Sequence, residues 1–348
     1  MPGRPRKPQG AWRARLLAGA LAAMLMAPAA AAVAAGAATA ALAVTEVRPG
    51  VFVHFGMLQD WAPENGGDVA NLAFVTGSRC VAVIDTGGTP AVGEALRAAV
   101  ARATPLPVCY VINTHAHPDH LLGNVAFRSG AEPPPRFVAS ARLAPALAAR
   151  ATSYLNALAR DFGLRLEARD LVYPDIAVER TAQLDLGGRV LDLRAWPTAH
   201  TDNDLTVYDP QTRTLFASDL LFVRHMPALD GSLRGWLAAM AELRQVPASL
   251  VVPGHGPADG DGRAAFDAQF AYLDSLLRAV RTALREGLSL PQAVERIGVP
   301  GGAPWLLADR FHRRNVTAAY AELEWEDNAP APSPPAPAGP GAATGARP

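Results

Sequence analysis

The amino-acid sequence predicts an α/β fold in which two β-sheets pack as a sandwich flanked by helices. The chain of 348 residues passes twice through the same order of elements, strands first and helices after, which is typical of a layered domain. Half of its residues are hydrophobic, so the chain can bury a sizeable core. We expect one folded domain over residues 44–328.

Residues 1–43 are predicted to be a secretory signal peptide. They hold five basic residues and no acidic residue, followed by an apolar stretch from Leu16 to Ala35 and several Ala-x-Ala cleavage sites. An uncleaved membrane anchor is the alternative, but the Ala-rich composition and Pro28 make this stretch weakly hydrophobic. We therefore expect cleavage, export and no stable membrane insertion of the mature protein.

The charge of the chain argues against a nucleic-acid partner. The sequence holds 32 basic and 32 acidic residues. Because five of the basic residues lie in the first 45 positions, the rest carries 27 bases against 32 acids, a net charge of −5. A mildly acidic body lacks the basic surface that binds phosphate backbones.

The first half of the domain is predicted to contain two parallel strands joined by a helix. Apolar runs indicate strands at 81–85 and 108–113, and apolar residues at helical spacing indicate a helix at 90–104. Two shorter strands precede them, at 51–53 and 71–75. The β-α-β order implies that the carboxyl ends of the two parallel strands lie at one sheet edge.

A second strand-rich half is predicted to begin near Leu171, after a helix at 140–162. Alternating apolar residues and turn signals indicate strands and helices in this half. The strands are expected at 184–186, 190–196, 205–208, 214–216 and 250–252, and the helices at 233–244, 264–286, 291–297 and 305–325. Residues 329–348 are almost wholly Pro, Ala and Gly, so we expect a disordered tail.

The two cysteines of the chain, Cys80 and Cys109, lie in or beside the two predicted parallel strands. Export permits a disulfide bond, but neighbouring parallel strands rarely offer the required geometry. We therefore expect two buried free thiols.

The most informative motif is Thr114-His115-Ala116-His117-Pro118-Asp119-His120, which directly follows the strand at 108–113. It holds three of the eight histidines of the chain and an aspartate within six residues. Imidazole and carboxylate are ligands that suit zinc in an open, catalytic site. A solvated polar loop is the alternative, but the clustering favours a metal site.

Three further ligand candidates also follow predicted strands: His200, Asp219 and His255. A lone histidine is more often a polar residue satisfied by the fold than a ligand. Here each candidate is flanked by small residues and appears after a four-residue cluster. We therefore expect all of them to contribute to the same metal site.

The order H-x-H-x-D-H, then His200, Asp219 and G-H-G at His255, resembles the metallo-β-lactamase-fold hydrolases over roughly residues 46–326. The resemblance implies a four-layer αββα sandwich and two bound zinc ions, with iron or manganese as alternatives. It assigns His115, His117 and His200 to one zinc, Asp119, His120 and His255 to the second, Asp219 as the bridge, and Asp85 as a partner of a ligand. One departure is Ser218, where relatives commonly carry glycine before the aspartate.

The same resemblance implies a hydrolase in which a metal-bound hydroxide attacks an ester, thioester or related bond. Asp119 would be the catalytic residue that orients the hydroxide and passes its proton on. A carboxylate at position 219 resembles glyoxalase II, whereas β-lactamases usually carry Cys or Ser there, so β-lactam hydrolysis is a minor alternative. The other alternative is a non-catalytic periplasmic accessory protein that binds a quinone cofactor or a dehydrogenase.

Three segments point to one group within this family: residues 65–71, 199–207 and 220–232. Together they look like the SoxH-like group called quinoprotein relay system zinc metallohydrolases. This implies a periplasmic protein with a small-molecule substrate that accompanies a quinoprotein dehydrogenase system.

A few side chains have two open interpretations. Trp61 belongs either to a flap over the substrate or to the core, and His225 either contacts substrate or is structural. Asp202 is expected to hold a ligand histidine, with a turn cap as the alternative. Arg313 and Arg314 are expected to pack and form salt bridges on the surface of the last helix.

Overall fold

A computed structural model describes residues 40–128, 133–258, 260–300 and 305–326 of the chain. The predicted signal peptide at 1–43 lies almost wholly outside the described residues, and the predicted tail at 329–348 lies wholly outside them. Within the described residues, no helix has the length and apolar character needed to cross a membrane.

The first sheet has seven strands, which follow one another along the sheet in chain order. The three pairs among the first four strands are antiparallel, and the three pairs from the fourth to the seventh strand are parallel. The strands are β1 (Thr45–Arg48), β2 (Val51–His54), β3 (Leu72–Thr76), β4 (Val81–Ile84), β5 (Val108–Ile112), β6 (Arg136–Ser140) and β7 (Ile176–Val178).

The second sheet has five strands in the order β12-β11-β10-β9-β8. Its pairs are antiparallel except for β11 with β12, which is parallel. The strands are β8 (Thr181–Asp185), β9 (Val190–Ala195), β10 (Leu205–Asp209), β11 (Thr214–Phe222) and β12 (Leu250–His255).

The α-helices of the described residues are distributed over both halves of the chain. They are α1 (Pro90–Ala103), α2 (Pro118–Leu121), α3 (Val125–Arg128), α4 (Leu143–Asp161), α5 (Leu233–Leu243), α6 (Arg263–Arg285), α7 (Leu290–Arg296) and α8 (Ala308–Leu323). The start of α1 shows why these boundaries arise. Thr89 accepts a hydrogen bond from the amide of Val92, and Pro90 takes the first helical position, where its missing N–H costs nothing.

The inner faces of the two sheets form one apolar core. Val53, Ile84 and Val138 of the first sheet lie in the same buried cluster as Leu193 and Val207 of the second. Helices cover the outer faces, with α1 and α4 on the first sheet and α5, α6 and α8 on the second. The predicted αββα sandwich is therefore confirmed.

Three strands of the first sheet, β1, β6 and β7, were not predicted from the sequence. Strand β6 is built on only three apolar residues, Phe137-Val138-Ala139, and the helix predicted from residue 140 begins at Leu143. Strand β7 has three residues. Both are stabilised by parallel pairing within the sheet, β6 to β5 and β7 to β6, rather than by a long apolar run of their own.

Cys80 and Cys109 form a disulfide bond, with their Cα atoms 5.7 Å apart, so the expectation of two free thiols was wrong. The cause is a register shift between β4 and β5. Val81 pairs with Val108 and Ala82 pairs with Tyr110, so Cys109 is the unpaired residue between them. This irregularity brings Cys109 beside the residue that precedes β4, at a separation that suits a disulfide.

Candidate metal centre

The loop after β5 supplies four of the candidate ligands from the first sheet: His115, His117, Asp119 and His120. Pro118 starts the short helix α2 directly after His117, which is in an extended conformation. This change of direction turns the side chains of one short segment toward a common point. His115 and His120 are fully buried, whereas His117 and Asp119 are partly exposed.

The second sheet supplies the other three candidates. His200 lies in the loop between β9 and β10, Asp219 lies in β11, and His255 ends β12. Ser218 has a φ of 47°, the left-handed conformation that glycine favours, so the turn before Asp219 is kept despite the departure from the family pattern. Gly254 is required for space, because a Cβ there would lie 1.8 Å from Oδ1 of Asp219.

The first group of candidate ligands consists of His115, His117, His200 and Asp219, whose ligand atoms all lie within 4.8 Å of one another. Nδ1 of His117 is 3.0 Å from Nε2 of His115 and 3.1 Å from Nε2 of His200. Oδ2 of Asp219 is 3.4 Å from Nε2 of His200. Three imidazoles and one carboxylate therefore face a common point.

The second group consists of Asp119, His120 and His255. Oδ2 of Asp119 is 3.6 Å from Nε2 of His120 and 3.4 Å from Nε2 of His255. Asp219 also reaches this group, with Oδ1 3.2 Å from His120 and Oδ2 3.5 Å from His255. The carboxylate of Asp219 thus lies between the two groups.

Two buried atoms show that these groups fit metal ions. Nε2 of His120 and Oδ1 of Asp219 are buried and have no hydrogen-bond partner among the described residues. They are 3.2 Å apart, but their geometry is not that of a hydrogen bond. An unsatisfied buried polar atom typically costs about 1–3 kcal/mol, and a cation between the two groups would satisfy both atoms.

Each candidate histidine is oriented through the ring nitrogen that faces away from the centre. His120 donates from Nδ1 to Oδ2 of Asp85 at 2.8 Å. The other partners are Ala228 O for His200 (2.6 Å), Val69 O for His255 (2.9 Å), Asp230 Oδ2 for His117 (3.0 Å) and Thr114 Oγ1 for His115 (3.1 Å). Such partners fix the tautomer that leaves the inward nitrogen free to bind metal.

Asp85 makes the contact expected of it. Its backbone is in the left-handed region, with a φ of 56°. Its carboxylate accepts from the amide and the hydroxyl of Thr114, at 2.8 and 2.7 Å, and from His120. Asp85 therefore ties the start of the histidine motif to one of the candidate ligands.

The two groups differ in electrostatics. Burial lowers the pKa of His115 well below its usual value and that of His200 to about 4. Burial also disfavours the charged forms of His120 and His255, but the negative charges of Asp219 and Asp119 outweigh this effect. The pKa of His120 is raised well above its usual value, and that of His255 is raised to about 9. Without metal, His115 and His200 are therefore neutral at pH 7, while His120 and His255 hold protons that a metal would displace.

A cavity of about 530 Å³ opens over the two groups. One side of α4, one side of α8 and the loop around Trp61 form its walls. Trp61 donates to the carbonyl oxygen of Gly88 at 3.2 Å and its ring centroid is 4.5 Å from that of Phe162. Trp61 is thus packed against the domain and also lines the cavity, and its role in a flap over the substrate stays a prediction.

His225 also lines the cavity, although it is only 3% exposed. Its ring centroid is 5.0 Å from that of His255, and Nδ1 donates to the carbonyl oxygen of Met226 at 2.7 Å. This leaves Nε2 as the atom available to a substrate. Contact between His225 and substrate stays a prediction.

Asp202 does not have the expected role. Its side chain is exposed, and its carboxylate accepts a hydrogen bond from the side chain of Asn203 rather than from a ligand histidine. Asp204 caps the turn instead, accepting from the amide and hydroxyl of Thr201. The buried residue of this turn that touches the histidine motif is Asn203, which accepts from the amide of Ala116 at 2.8 Å.

Two residues of the site, Asp230 and Arg314, were not predicted from the sequence. Asp230 contacts His117, yet it lies in a loop with no ligand motif around it. Arg314 was expected on the surface together with Arg313. Arg313 does pair with Glu295 on the surface, and Arg314 is exposed as expected, but its side chain also lines the cavity. The available signal was that consecutive residues of a helix point about 100° apart, so Arg313 and Arg314 cannot both face the same surroundings.

A family model described as the metallo-beta-lactamase superfamily matches residues 65–255. This range contains all seven candidate ligands and Asp85. No match was found among curated proteins.

Solved structures with similar folds agree with this match. A metallo-beta-lactamase from Pontibacter korlensis has a TM-score of 0.54 and 24% identity, covering 67% of this chain and 99% of that one. A double mutant of the sec-alkyl sulfatase PisA1 has a TM-score of 0.61 and 16% identity, covering 82% of this chain and 50% of that one. The protein TMB-1 has a TM-score of 0.51 and 20% identity, covering 67% and 97%. At these identities the likeness shows a shared fold.

Proposed function

The chain belongs to the metallo-β-lactamase superfamily and is a metal-dependent hydrolase, and we propose that it uses two zinc ions to cleave an ester, thioester or related bond outside the cytoplasm. The observation that carries the proposal is the position of Asp219. Its carboxylate lies within 3.8 Å of a nitrogen of His115, His120, His200 and His255, so it can bridge two metals.

The side chains divide into two binding sets. His115, His117 and His200 would hold one ion, and Asp119, His120 and His255 would hold the other. Bound there, two zinc ions would acidify a shared water molecule and polarise the bond to be cleaved. Each ion would have three ligands of its own and share Asp219, which leaves coordination positions for water and substrate. A purely structural zinc instead favours a closed cage of four protein ligands.

Asp119 is the proposed catalytic residue. It lines the cavity and its side chain is 14% exposed, whereas the other carboxylate of the centre, Asp219, is 5% exposed. Charges on His120 and His255 lower the pKa of Asp119 despite its burial, so its carboxylate is ionised at neutral pH. An ionised oxygen at the cavity can accept a proton from the attacking water and return it to the leaving group.

The carboxylate at position 219 supports ester or thioester hydrolysis over β-lactam cleavage. β-Lactamases usually carry Cys or Ser at the corresponding position, and a carboxylate there resembles glyoxalase II. Hydrolysis of an ester or thioester is therefore the main proposal, and β-lactam hydrolysis is the lesser candidate.

The compartment and the partner are further parts of the proposal. The disulfide Cys80–Cys109 supports an oxidising environment, because structural disulfides are rare in the cytosol. Together with the basic and apolar start of the sequence, this supports the periplasm. Segments 65–71, 199–207 and 220–232 support an association with a quinoprotein dehydrogenase system through their SoxH-like pattern.

Metal content and turnover test the proposal together. Protein purified without chelator should contain about two zinc ions per chain, and the double variant His117→Ala, His120→Ala should contain far less. Asp202→Asn is the matched control, because Asp202 lies beside the centre without touching a ligand. A wild-type zinc content near zero, or an unchanged content in the double variant, would refute the metal centre.

Ester, thioester and β-lactam reporter substrates then separate the candidate functions. The proposal predicts turnover of ester or thioester reporters that is lost in the double variant. Turnover of β-lactams alone would favour the lesser candidate. Two bound zinc ions without turnover of any reporter would favour a non-catalytic accessory role.

A further inference from the structure

The cavity above the metal centre is lined by four arginines: Arg150, Arg160, Arg310 and Arg314. Three of them face a carboxylate. Arg160 pairs with Asp161 and Arg310 with Asp60, each at 2.6 Å, and Arg150 lies 3.5 Å from Asp230. Arg314 has no carboxylate partner within the described part of the chain.

Arg314 is connected to the metal centre by a row of rings along the cavity wall. The ring centroids of His255 and His225 are 5.0 Å apart, and those of His225 and Phe311 are 5.2 Å apart. The guanidinium of Arg314 lies over Phe311, 5.6 Å from its centroid. Arg314 therefore lies on the side of the second metal group, and the aromatic ring limits the directions in which its side chain can point.

Of the two arginines on this side of α8, Arg310 has its charge neutralised by a carboxylate, whereas Arg314 has no such partner among the described residues. Arg310 lies one helical turn before Arg314 on the same side of α8, but its ion pair with Asp60 fastens α8 to the loop that carries Trp61. Its charge is thereby neutralised, whereas that of Arg314 is directed at the cavity. A single guanidinium presents two parallel N–H donors, which match the two oxygens of one carboxylate.

We propose that the substrate carries a carboxylate group separate from the bond that is cleaved, and that Arg314 binds this carboxylate. The inference rests on the proposed hydrolytic function and names the class of its substrate: an ester or thioester of an acid with a second, free carboxylate. Arg314 is then a specificity-determining residue, because a neutral substrate of the same shape leaves its guanidinium without a partner.

Binding of short acids to the zinc-loaded protein tests this without requiring turnover. The probes are succinate, glutarate and adipate, each compared by calorimetry with the monocarboxylate of equal chain length, butyrate, pentanoate and hexanoate. One carboxylate of each probe can occupy the metal end of the cavity, and the series varies the distance to the second. We expect at least one diacid to bind about fivefold to tenfold more tightly than its monoacid partner, as for a charge-assisted bond at a partly solvated site.

Arg314→Gln should remove most of this preference, and Arg314→Lys should restore part of it. Arg313→Gln is the matched control, because it removes the adjacent positive charge on the outer side of α8 and should leave the preference unchanged. Equal affinities for diacids and monoacids in the wild type, or an undiminished preference in Arg314→Gln, would overturn the proposal. Because the measurement is binding, these outcomes are distinct from a failure of the proposed hydrolysis, which the reporter substrates detect.

Discussion

Asp230 accepts a hydrogen bond from Nε2 of His117 across 3.0 Å. Burial raises the pKa of Asp230, but the bond from His117 and the nearby positive charges outweigh it and lower the pKa to about 2. Asp230 is therefore ionised at neutral pH and keeps the proton of His117 on Nε2. Nδ1 of His117 is then free to bind metal together with His115 and His200.

Asp230→Asn should weaken the first metal while leaving the second in place. Loss of the charged acceptor frees the ring of His117 to rotate or change tautomer, and such changes typically cost 10–100-fold in metal affinity. Zinc titration against a competing chelator measures the two affinities. Asp202→Asn serves as control, and equal affinities in Asp230→Asn and wild type would show that His117 does not need this partner.

Asp219→Asn should weaken the second metal by on the order of tenfold or more, because it removes the charge that lies between the two groups. The first metal should persist on three histidines. Hydrolysis of any reporter should fall with the loss of the second metal and partly recover at high zinc concentration. A variant that binds two zinc ions as tightly as wild type and keeps full activity would show that Asp219 is not a ligand.

The double variant Cys80→Ser, Cys109→Ser should lower the free energy of unfolding by about 2–4 kcal/mol, since the bond closes a loop between residues 29 apart in sequence. Urea denaturation of the two proteins measures the difference. Thiol titration of the unfolded wild type without reductant provides an independent check. Two reactive thiols per chain in protein isolated from an oxidising compartment would contradict the disulfide.

The stability contributed by His54 should depend on pH. Burial alone would lower the pKa of His54. Its 2.7 Å hydrogen bond to Asp68 and its bond to the carbonyl oxygen of Ala43 have the larger, opposite effect, so the pKa is raised overall. A histidine with a raised folded pKa stabilises the fold fully below its unfolded pKa of about 6.5, and this contribution is lost as pH rises through the folded value. Denaturation should therefore show a larger gap between wild type and His54→Gln at pH 5.5 than at pH 8.5.

His312 serves as a control, because the stability that it contributes should depend on pH in the opposite direction. Burial lowers its pKa, so the stability that it contributes is present at high pH and is lost as pH falls. The gap between wild type and His312→Gln should shrink toward acid pH. The same pH trend in both variants would point to a general effect of acid on the fold rather than to the Asp68 pair.

The mature chain should begin between about Ala30 and Val44 and lie outside the cytoplasm. N-terminal sequencing of protein taken from the native cell envelope measures the cleavage site directly. Recovery of intact Met1 from a membrane fraction would instead favour the anchor.

Local sequence patterns were enough to predict the two-sheet sandwich and the side chains that converge on the candidate metal centre. His115, His117, Asp119 and His120 lie within six residues, so their proximity is a property of the segment itself. His200, Asp219 and His255 were found because each lies at or near the end of an apolar run. Strand β6 was missed because three apolar residues are too few to indicate a strand without knowledge of its neighbours.

The remaining features depend on contacts between distant parts of the chain. The bond between Asp230 and His117 joins residues 113 apart in sequence, and neither neighbourhood signals the other. The disulfide depends on a single register shift between β4 and β5, which the side-chain pattern does not reveal. The place of Arg314 in the cavity depends on how α8 packs, which decides that Arg313 and Arg314 face different surroundings.

The candidate ligands come from both sheets, four from the loop after β5 and three from β11, β12 and the loop before β10. Ions bound there would join the two layers, in addition to the apolar core between them. Ligand binding to the folded state alone adds about 2.7 kcal/mol of stability when free ligand exceeds the dissociation constant 100-fold. The supply of metal in the surroundings would therefore set how stable this protein is against unfolding and proteolysis, as well as whether it is active.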